Sequence, residues 1–98
     1  MSLERKGKYR LELTPRFDKE LHKLPKHVMN RIAVSVEDLK VCPYSFKRLH
    51  GELEGLYSMR VGDYRIIFTI DEDKGRVVLI SAAHRTRVYE IIGTNINS

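Results

Sequence analysis

The clearest chemical signal in this sequence is a pair of arginines around a short turn. Arg60 and Arg65 flank Gly62-Asp63, and glycine as the first residue of a two-residue loop is typical of a type II′ β-hairpin. In such a hairpin the two arginines lie directly opposite each other on neighbouring strands. Guanidinium groups bind phosphate through paired hydrogen bonds, so the pattern predicts an anion site.

A second basic group, His84-Arg85-x-Arg87, follows the next predicted strand, whose end can bring it close to the arginine pair. The longer acidic turn before that strand leaves the face of His84 open. A purely structural alternative also stands for the pair. Opposed arginines repel by up to roughly 1 kcal/mol, and both side chains can extend into water or be neutralised by Asp63 and Glu90.

The remaining candidate groups are less specific. His50 follows Lys47-Arg48 in an irregular segment and is a candidate base, although a solvated loop histidine gives the same pattern. The one cysteine, Cys42, excludes an internal disulfide and a cysteine-cluster zinc site, and it fits a reducing cytoplasm. The sequence carries no metal or cofactor motif, so neither is expected.

These residues must be positioned by a single domain, residues 1–98, in which residues 1–8 form a polar lead-in. The order β-α-α-β-β-β predicts an α+β fold with an antiparallel sheet packed against a helical hairpin. Residues 86–92 are expected to form a short C-terminal helical turn or a tail. Hydrophobic periodicity and turn signals place the elements as follows: a strand at Tyr9–Leu13, helices from Pro15 to Leu24 and from Lys26 to about Lys40, and strands at Leu56–Val61, Tyr64–Ile70 and Val77–Ala83.

The hairpin register assigns the side chains of its two strands to opposite faces. One face is apolar enough to form the core against the helices, and it consists of Tyr57, Met59, Val61, Tyr64, Ile66, Phe68 and Ile70. The other face carries the arginine pair together with Ser58, Ile67 and Thr69.

Charge is distributed unevenly along the chain. Lys and Arg total 18 against 13 Asp and Glu, which gives a formal net charge of +5. Residues 1–50 hold 12 of the basic and six of the acidic residues, whereas residues 51–98 are close to neutral. A basic excess favours an anionic partner such as nucleic acid. No apolar stretch approaches the roughly 18–20 residues that span a bilayer, so no membrane partner is expected.

Two stretches resemble the signatures of a known family. Residues 53–68, LEGLYSMRVGDYRIIF, with Pro43-Tyr44 and Leu49-x-Gly51 before them, are similar to the central signature of the RelE/ParE toxin superfamily. Residues 84–89, HRTRVY, are similar to its C-terminal signature. The resemblance covers about residues 9–90 and agrees with the predicted order of elements.

The resemblance implies a cytoplasmic toxin of a type II toxin–antitoxin system, bound by a cognate antitoxin, commonly in a heterotetramer. RelE-like members cleave mRNA in the ribosomal A site without metal, by attack of a 2′-hydroxyl on the adjacent phosphate. The combination of arginines, histidine and tyrosine favours this branch. The alternatives are a ParE-like inhibitor of DNA gyrase and a catalytically degenerate homologue that only binds its antitoxin.

The resemblance also implies roles for individual residues. Arg65 and Arg85 would stabilise the phosphate, and Tyr89 would stack on or orient the substrate. Arg60 matches the second of two family lysines, and Ser58 stands in place of the first. Arginine stays protonated and is a poor general base. Some members of the family use a histidine or a carboxylate instead, so the resemblance offers three candidates for the general base, namely His84, His50 and Glu52.

The basic residues outside this constellation are predicted to dock on ribosomal RNA through nonspecific electrostatic contacts. They come mainly from the basic first half of the chain. The predicted docking residues are Lys19, Lys23, Lys26, Arg31, Lys47 and Arg48, together with Arg87 of the C-terminal motif.

Overall fold

A computed structural model describes residues 8–87 of the chain. Its elements follow the predicted order, with one addition inside the segment predicted to be irregular, a two-residue strand. The elements are β1 (Arg10–Leu13), α1 (Pro15–His22), α2 (Lys26–Ser35), β2 (Lys47–Arg48), β3 (Leu56–Val61), β4 (Tyr64–Asp71) and β5 (Arg76–His84), with 3-10 turns at Val36–Lys40, Pro43–Ser45 and Gly51–Leu53.

The first helix begins at the predicted start signal. The Thr14 hydroxyl accepts a hydrogen bond from the Phe17 N–H at 3.1 Å, and proline occupies the first helical position. The same hydroxyl donates to the Leu79 carbonyl at 2.8 Å, which ties the start of α1 to β5. The second helix begins at Lys26 as predicted, but its last turn tightens into the 3-10 turn Val36–Lys40.

The strands form one five-stranded sheet in the order β1-β5-β4-β3-β2. The pairing from β3 to β5 is antiparallel as predicted, and the additional strand β2 is antiparallel to β3. Strand β1 instead runs parallel to β5. A parallel pair needs a long crossover connection, and here the chain between β1 and the other strands contains the two helices. The helices therefore cover one face of the sheet.

The central hairpin has the predicted register. Val61 pairs with Tyr64, and Arg60 pairs with Arg65. Gly62 has a φ of 61°, as the first residue of a type II′ turn requires, and no residue other than glycine has a positive φ among those described.

The sheet has two unlike faces. The helix-covered face packs the apolar hairpin residues against α1 and α2, with Phe17, Ile32, Leu39, Ile66 and Phe68 among its most buried side chains. The opposite, open face carries the arginine pair and a smaller apolar cluster centred on Leu49, Ile67 and Ala83. None of the described helices is long and apolar enough to cross a membrane.

Candidate active site

The arginine pair lies on the open face at the turn end of the hairpin. The Arg65 Nη1 donates to the Ser58 hydroxyl at 3.3 Å, and the Arg60 Nε donates to the Gly62 carbonyl at 3.1 Å. The two guanidinium groups are thus held by different neutral acceptors, and neither forms a salt bridge with any other residue from 8 to 87. Arg65 is half-buried and Arg60 is exposed, so an anion can approach this face.

Arg85 lies at the same end of the sheet. Its N–H donates to the Asp63 carbonyl at 2.7 Å, and its Nε lies 3.8 Å from the Asp63 carboxylate. Both side chains are about two-thirds exposed, at 63% and 67%, so this ion pair is weak. The alternative expectation was that Asp63 neutralises Arg60 and Arg65. In the structure the Asp63 carboxylate pairs with Arg85 instead. Glu90, the other proposed neutralising residue, lies outside the described residues.

His84 is on the other side of the sheet. The β4–β5 register shifts between Ile67 and Phe68, which leaves Ile80 as an extra residue in β5. His84 then pairs with Tyr64 on the helix-covered face, and the two rings meet edge-to-face at 5.4 Å. The sheet therefore separates His84 from Arg65, whose partner in β5 is Ala83.

His84 instead lines a cavity of about 320 Å³ between α1 and the end of β5. Lys23 and Arg87 line the same cavity, so two of the predicted docking residues accompany His84 there. Glu20 contributes a carboxylate oxygen that accepts hydrogen bonds from the Ser81 hydroxyl and the Ala82 N–H, at 2.9 and 3.0 Å. The Ala82 N–H lies in the part of β5 that has no partner in β1, and the Glu20 carboxylate accepts its hydrogen bond there.

His50 and Glu52 lie beside the open face. His50 precedes the turn Gly51–Leu53, and Glu52 is its middle residue. The Leu53 side chain of this turn packs on the apolar cluster that contains Ile67. Both side chains are exposed. Of the three candidate bases, these two lie on the arginine side of the sheet and His84 does not.

The predicted docking residues divide between several surfaces. Lys19, Lys23 and Lys26 are exposed on the helices, on the far side of the sheet from the arginine pair. Arg31 reaches from α2 to the hairpin turn, where its Nη1 lies 3.0 Å from the position of a β-carbon on Gly62. Because Gly62 has no side chain, this approach is open, and helical spacing alone did not indicate it.

Lys47 and Arg48 form β2 at the edge of the sheet. Lys47 lies opposite Ser58, and Arg48 lies opposite Tyr57. Tyr57 packs against the core under the helices, so the two neighbouring cations take opposite faces.

Sequence reasoning missed a polar cluster at the far end of the sheet. The Tyr9 hydroxyl donates to the Glu72 carboxylate at 2.9 Å, and the Tyr44 hydroxyl donates to it as well. These hydrogen bonds, first that of Tyr44, hold the pKa of Glu72 below its ordinary value. In turn, the carboxylate raises the pKa of Tyr44 to about 12. The cluster anchors the segment that leads into β2.

Two further observations bound the site. Among residues 8–87 no group of three or more His, Cys, Asp or Glu side chains is arranged to hold a metal ion. Tyr89 and most of the predicted C-terminal helical turn lie outside the described residues, so their predicted roles remain predictions.

The sequence model of the family described as "ParE toxin of type II toxin-antitoxin system, parDE" matches residues 11–89. Toxin RelG of Mycobacterium tuberculosis is 32% identical over 87 residues, which cover 83% of this chain and 95% of RelG. The chain belongs to the RelE/ParE superfamily. It is a toxin of the type II toxin–antitoxin class, as the signatures in residues 53–68 and 84–89 predicted.

Solved structures of the superfamily have the same fold. A chain of the toxin–antitoxin complex RelBE2 from Mycobacterium tuberculosis matches with a TM-score of 0.69 and 34% identity, covering 79% of this chain and 98% of that one. A chain of the archaeal RelE-RelB complex from Pyrococcus horikoshii matches with a TM-score of 0.68 and 27% identity, covering 83% and 99%. The predicted α+β architecture is confirmed.

Proposed function

We propose that this RelE/ParE-superfamily toxin is a ribosome-dependent endoribonuclease that cleaves mRNA in the A site. The observation that carries the proposal is the arginine pair on the open face, where Arg60 and Arg65 are opposed in register and held by neutral acceptors. Within residues 8–87 neither arginine forms a salt bridge with a carboxylate. Two adjacent cations suit a group whose negative charge grows during the reaction, as that of a phosphate does.

The reaction is an internal transfer at one phosphate. The 2′-hydroxyl attacks the adjacent phosphorus, the P–O5′ bond breaks, and the products are a 2′,3′-cyclic phosphate and a free 5′-hydroxyl. Arg60 and Arg65 stabilise the charge that develops on the pentacoordinate phosphorus, with Arg85 at the same end of the sheet. The resemblance assigns Tyr89 to stacking on the substrate.

Proton transfer needs other side chains, because guanidinium does not give up its proton. A base accepts the proton of the 2′-hydroxyl and an acid returns one to the 5′ oxygen. His50 and Glu52 are the candidates for these two roles on the arginine side of the sheet. His84 lies on the opposite face and is the weaker candidate.

The ribosome and the antitoxin are proposed to bind surfaces other than the arginine pair alone. Exposed lysines of the helices, Lys19, Lys23 and Lys26, are proposed to dock on ribosomal RNA in the cytoplasm. A cognate antitoxin with apolar and acidic segments is proposed to wrap the helices and sheet, by analogy with the RelBE complexes of similar fold. A heterotetramer is the arrangement expected from the family.

The test is cleavage of a defined mRNA on programmed ribosomes, read by mapping 5′ ends. The wild-type toxin should cut within the A-site codon and leave a 5′-hydroxyl. The variant Arg60→Gln/Arg65→Gln should be inactive and still folded. An intact message with the wild-type toxin would refute the proposal.

A second candidate function is favoured by the family model, whose description names ParE. A ParE-like toxin would inhibit DNA gyrase, so a supercoiling assay is run beside the ribosome assay. Inhibition of gyrase together with an intact message would replace the ribonuclease proposal. Binding of antitoxin without either activity would identify a degenerate homologue.

A further inference from the structure

The edge strand β2 places two neighbouring cations on opposite faces of the sheet. Lys47 pairs with Ser58, and Arg48 pairs with Tyr57. Residues directly opposite in an antiparallel pair share a face and have β-carbons about 4.5–5.5 Å apart. Because Ser58 accepts the hydrogen bond of Arg65, Lys47 lies next to the residue that holds the half-buried arginine of the site.

Lys47 is also within reach of the other arginine. Arg60 lies two residues beyond Ser58 in β3, on the same face, which makes it a diagonal neighbour of Lys47 at about 7–8 Å between backbones. Ser58 itself is buried, at 3% exposure, so it presents no group to an incoming substrate. The four-carbon stem of lysine can bring its ammonium over Ser58 to the region that both guanidinium groups border.

The position of Lys47 is set by residues on either side of it. Leu49 follows on the same face and is buried in the cluster with Ile67, and its N–H donates to the Leu56 carbonyl at 2.9 Å. Before it, Tyr44 is anchored to Glu72. Within residues 8–87 neither Lys47 nor Arg48 forms a salt bridge, and both side chains are exposed.

We propose that Lys47 binds the substrate RNA backbone on the open face, as a third cation beside Arg60 and Arg65. This inference rests on the proposed function in that the open face receives RNA. It moves Lys47 from the predicted ribosome-docking residues to those that touch the substrate. Arg48, adjacent in sequence and equal in charge, contributes only long-range attraction from the other face.

The register supplies a matched pair of variants, Lys47→Gln and Arg48→Gln. Each variant removes one exposed positive charge from the same strand. A difference in RNA affinity between them therefore results from the face of the sheet on which the residue lies and not from the net charge. The probe is a short RNA in which every ribose is 2′-O-methylated, which cannot be cleaved by 2′-hydroxyl attack. Its binding to the free toxin is measured by fluorescence anisotropy over a range of salt concentrations.

We expect Lys47→Gln to weaken binding by about tenfold, as loss of one charged contact does. The slope of log K against log salt should fall by about 0.7, the value for one phosphate contact on a single strand. Arg48→Gln should change the affinity by less than about twofold, and Lys47→Arg should retain most of it. Equal effects of the two glutamine variants, or no RNA binding by the wild type, would overturn the inference.

Cleavage on ribosomes added to saturation separates this inference from the proposed function. Lys47→Gln should lower the saturated rate by more than Arg48→Gln does; equal saturated rates would overturn substrate contact by Lys47. If the wild type binds the RNA probe through Lys47 but cleaves no message, the ribonuclease proposal fails and the contact stands. Unchanged thermal unfolding midpoints establish that both variants are folded.

Discussion

The two faces of the sheet differ in what they contain: one forms the main core and the other carries the arginine pair. Alternate residues of the same strands supply both faces. On the helix-covered face, Ile66 and Phe68 are fully buried against α1 and α2. On the open face, Arg65 is half-buried and Ile67 belongs to a small cluster under the turn Gly51–Leu53. Because successive side chains of a strand point to opposite faces, a strand can build the core and a charged site at once.

The basic residues that give the sequence its net positive charge lie on different faces of the sheet. The helix lysines lie on the far side of the sheet from the arginine pair, whereas Arg85 and Arg31 reach the hairpin turn from other elements. Position relative to the sheet therefore separates the cations that are proposed to dock on the ribosome from those that are proposed to meet the substrate. Substitutions on each face test this division.

The largest effect on stability is expected on the helix-covered face. Phe68→Ala removes a ring stacked at 5.5 Å on Tyr57, and should cost about 3–5 kcal/mol of unfolding free energy. Ile67→Ala, its neighbour on the open face, should cost about 2 kcal/mol, because the turn that covers it can partly collapse. Urea denaturation of both variants measures the difference. A larger loss at Ile67 would contradict the assignment of the main core.

The reverse order is expected for cleavage. Arg65→Ala should reduce cleavage on ribosomes by about 10²–10³-fold, as loss of a transition-state donor does. His84→Ala should retain activity within about tenfold, because the sheet lies between His84 and the arginines. A loss of about 10²–10⁴-fold at His84 would instead identify it as the acid or base.

Glu20 tests how the helix layer holds the end of β5. Glu20→Ala leaves the Ala82 N–H and the Ser81 hydroxyl without their acceptor and should cost about 1–3 kcal/mol. Glu20→Gln keeps an acceptor oxygen and serves as the control with the smaller loss. Equal losses in thermal or urea unfolding would mean that the charge, and not the hydrogen bonds, stabilises this edge.

Gly62 tests the approach of Arg31 to the hairpin turn. Gly62→Ala forces a side chain into a positive φ of 61°, at a cost of about 1–2 kcal/mol, and displaces the Arg31 guanidinium. Gly75→Ala is the control, since its φ is 62° and its β-carbon would meet only the Lys8 carbonyl oxygen, at an ordinary contact distance of 3.8 Å. The unfolding free energy and cleavage rate of the two variants should differ only by the effect on Arg31. Identical cleavage would exclude a role for that contact.

The smallest effect is expected from Tyr44→Phe, and it depends on pH. The lowered pKa of Glu72 means that its stabilisation is full above the ordinary value of 4.5 and is lost as the pH falls through the lowered pKa. The raised pKa of Tyr44 gives a contribution that is full below 10.0 and lost as the pH rises through about 12.

The difference in unfolding free energy between wild type and Tyr44→Phe should therefore be constant from about pH 5 to 9 and shrink below about pH 4. Urea denaturation at several pH values measures it. Tyr9→Phe, which removes the second donor to the same carboxylate, should show the same trend. A difference that does not change with pH would exclude Glu72 as the acceptor that matters.

Local signals predicted much of the fold and the opposition of the two hairpin arginines. The Thr14-Pro15 start, the alternation in β3 and β4 and the Gly62-Asp63 turn are short-range patterns, and each was confirmed. The opposition of Arg60 and Arg65 follows from that turn alone. The parallel pairing of β1 could not be predicted in this way, because it joins residues that are more than 60 positions apart.

The amino-acid sequence by itself determined the hairpin, its register and the superfamily, because these depend on neighbouring residues and on a motif. Only the tertiary structure decided which groups share a face. A one-residue bulge in β5 puts His84 behind the sheet, and the pairing of β2 brings Lys47 to its front. The physical reason is the two-residue period of a strand: a shift of one position reverses the face, and such shifts are set by long-range pairing and packing.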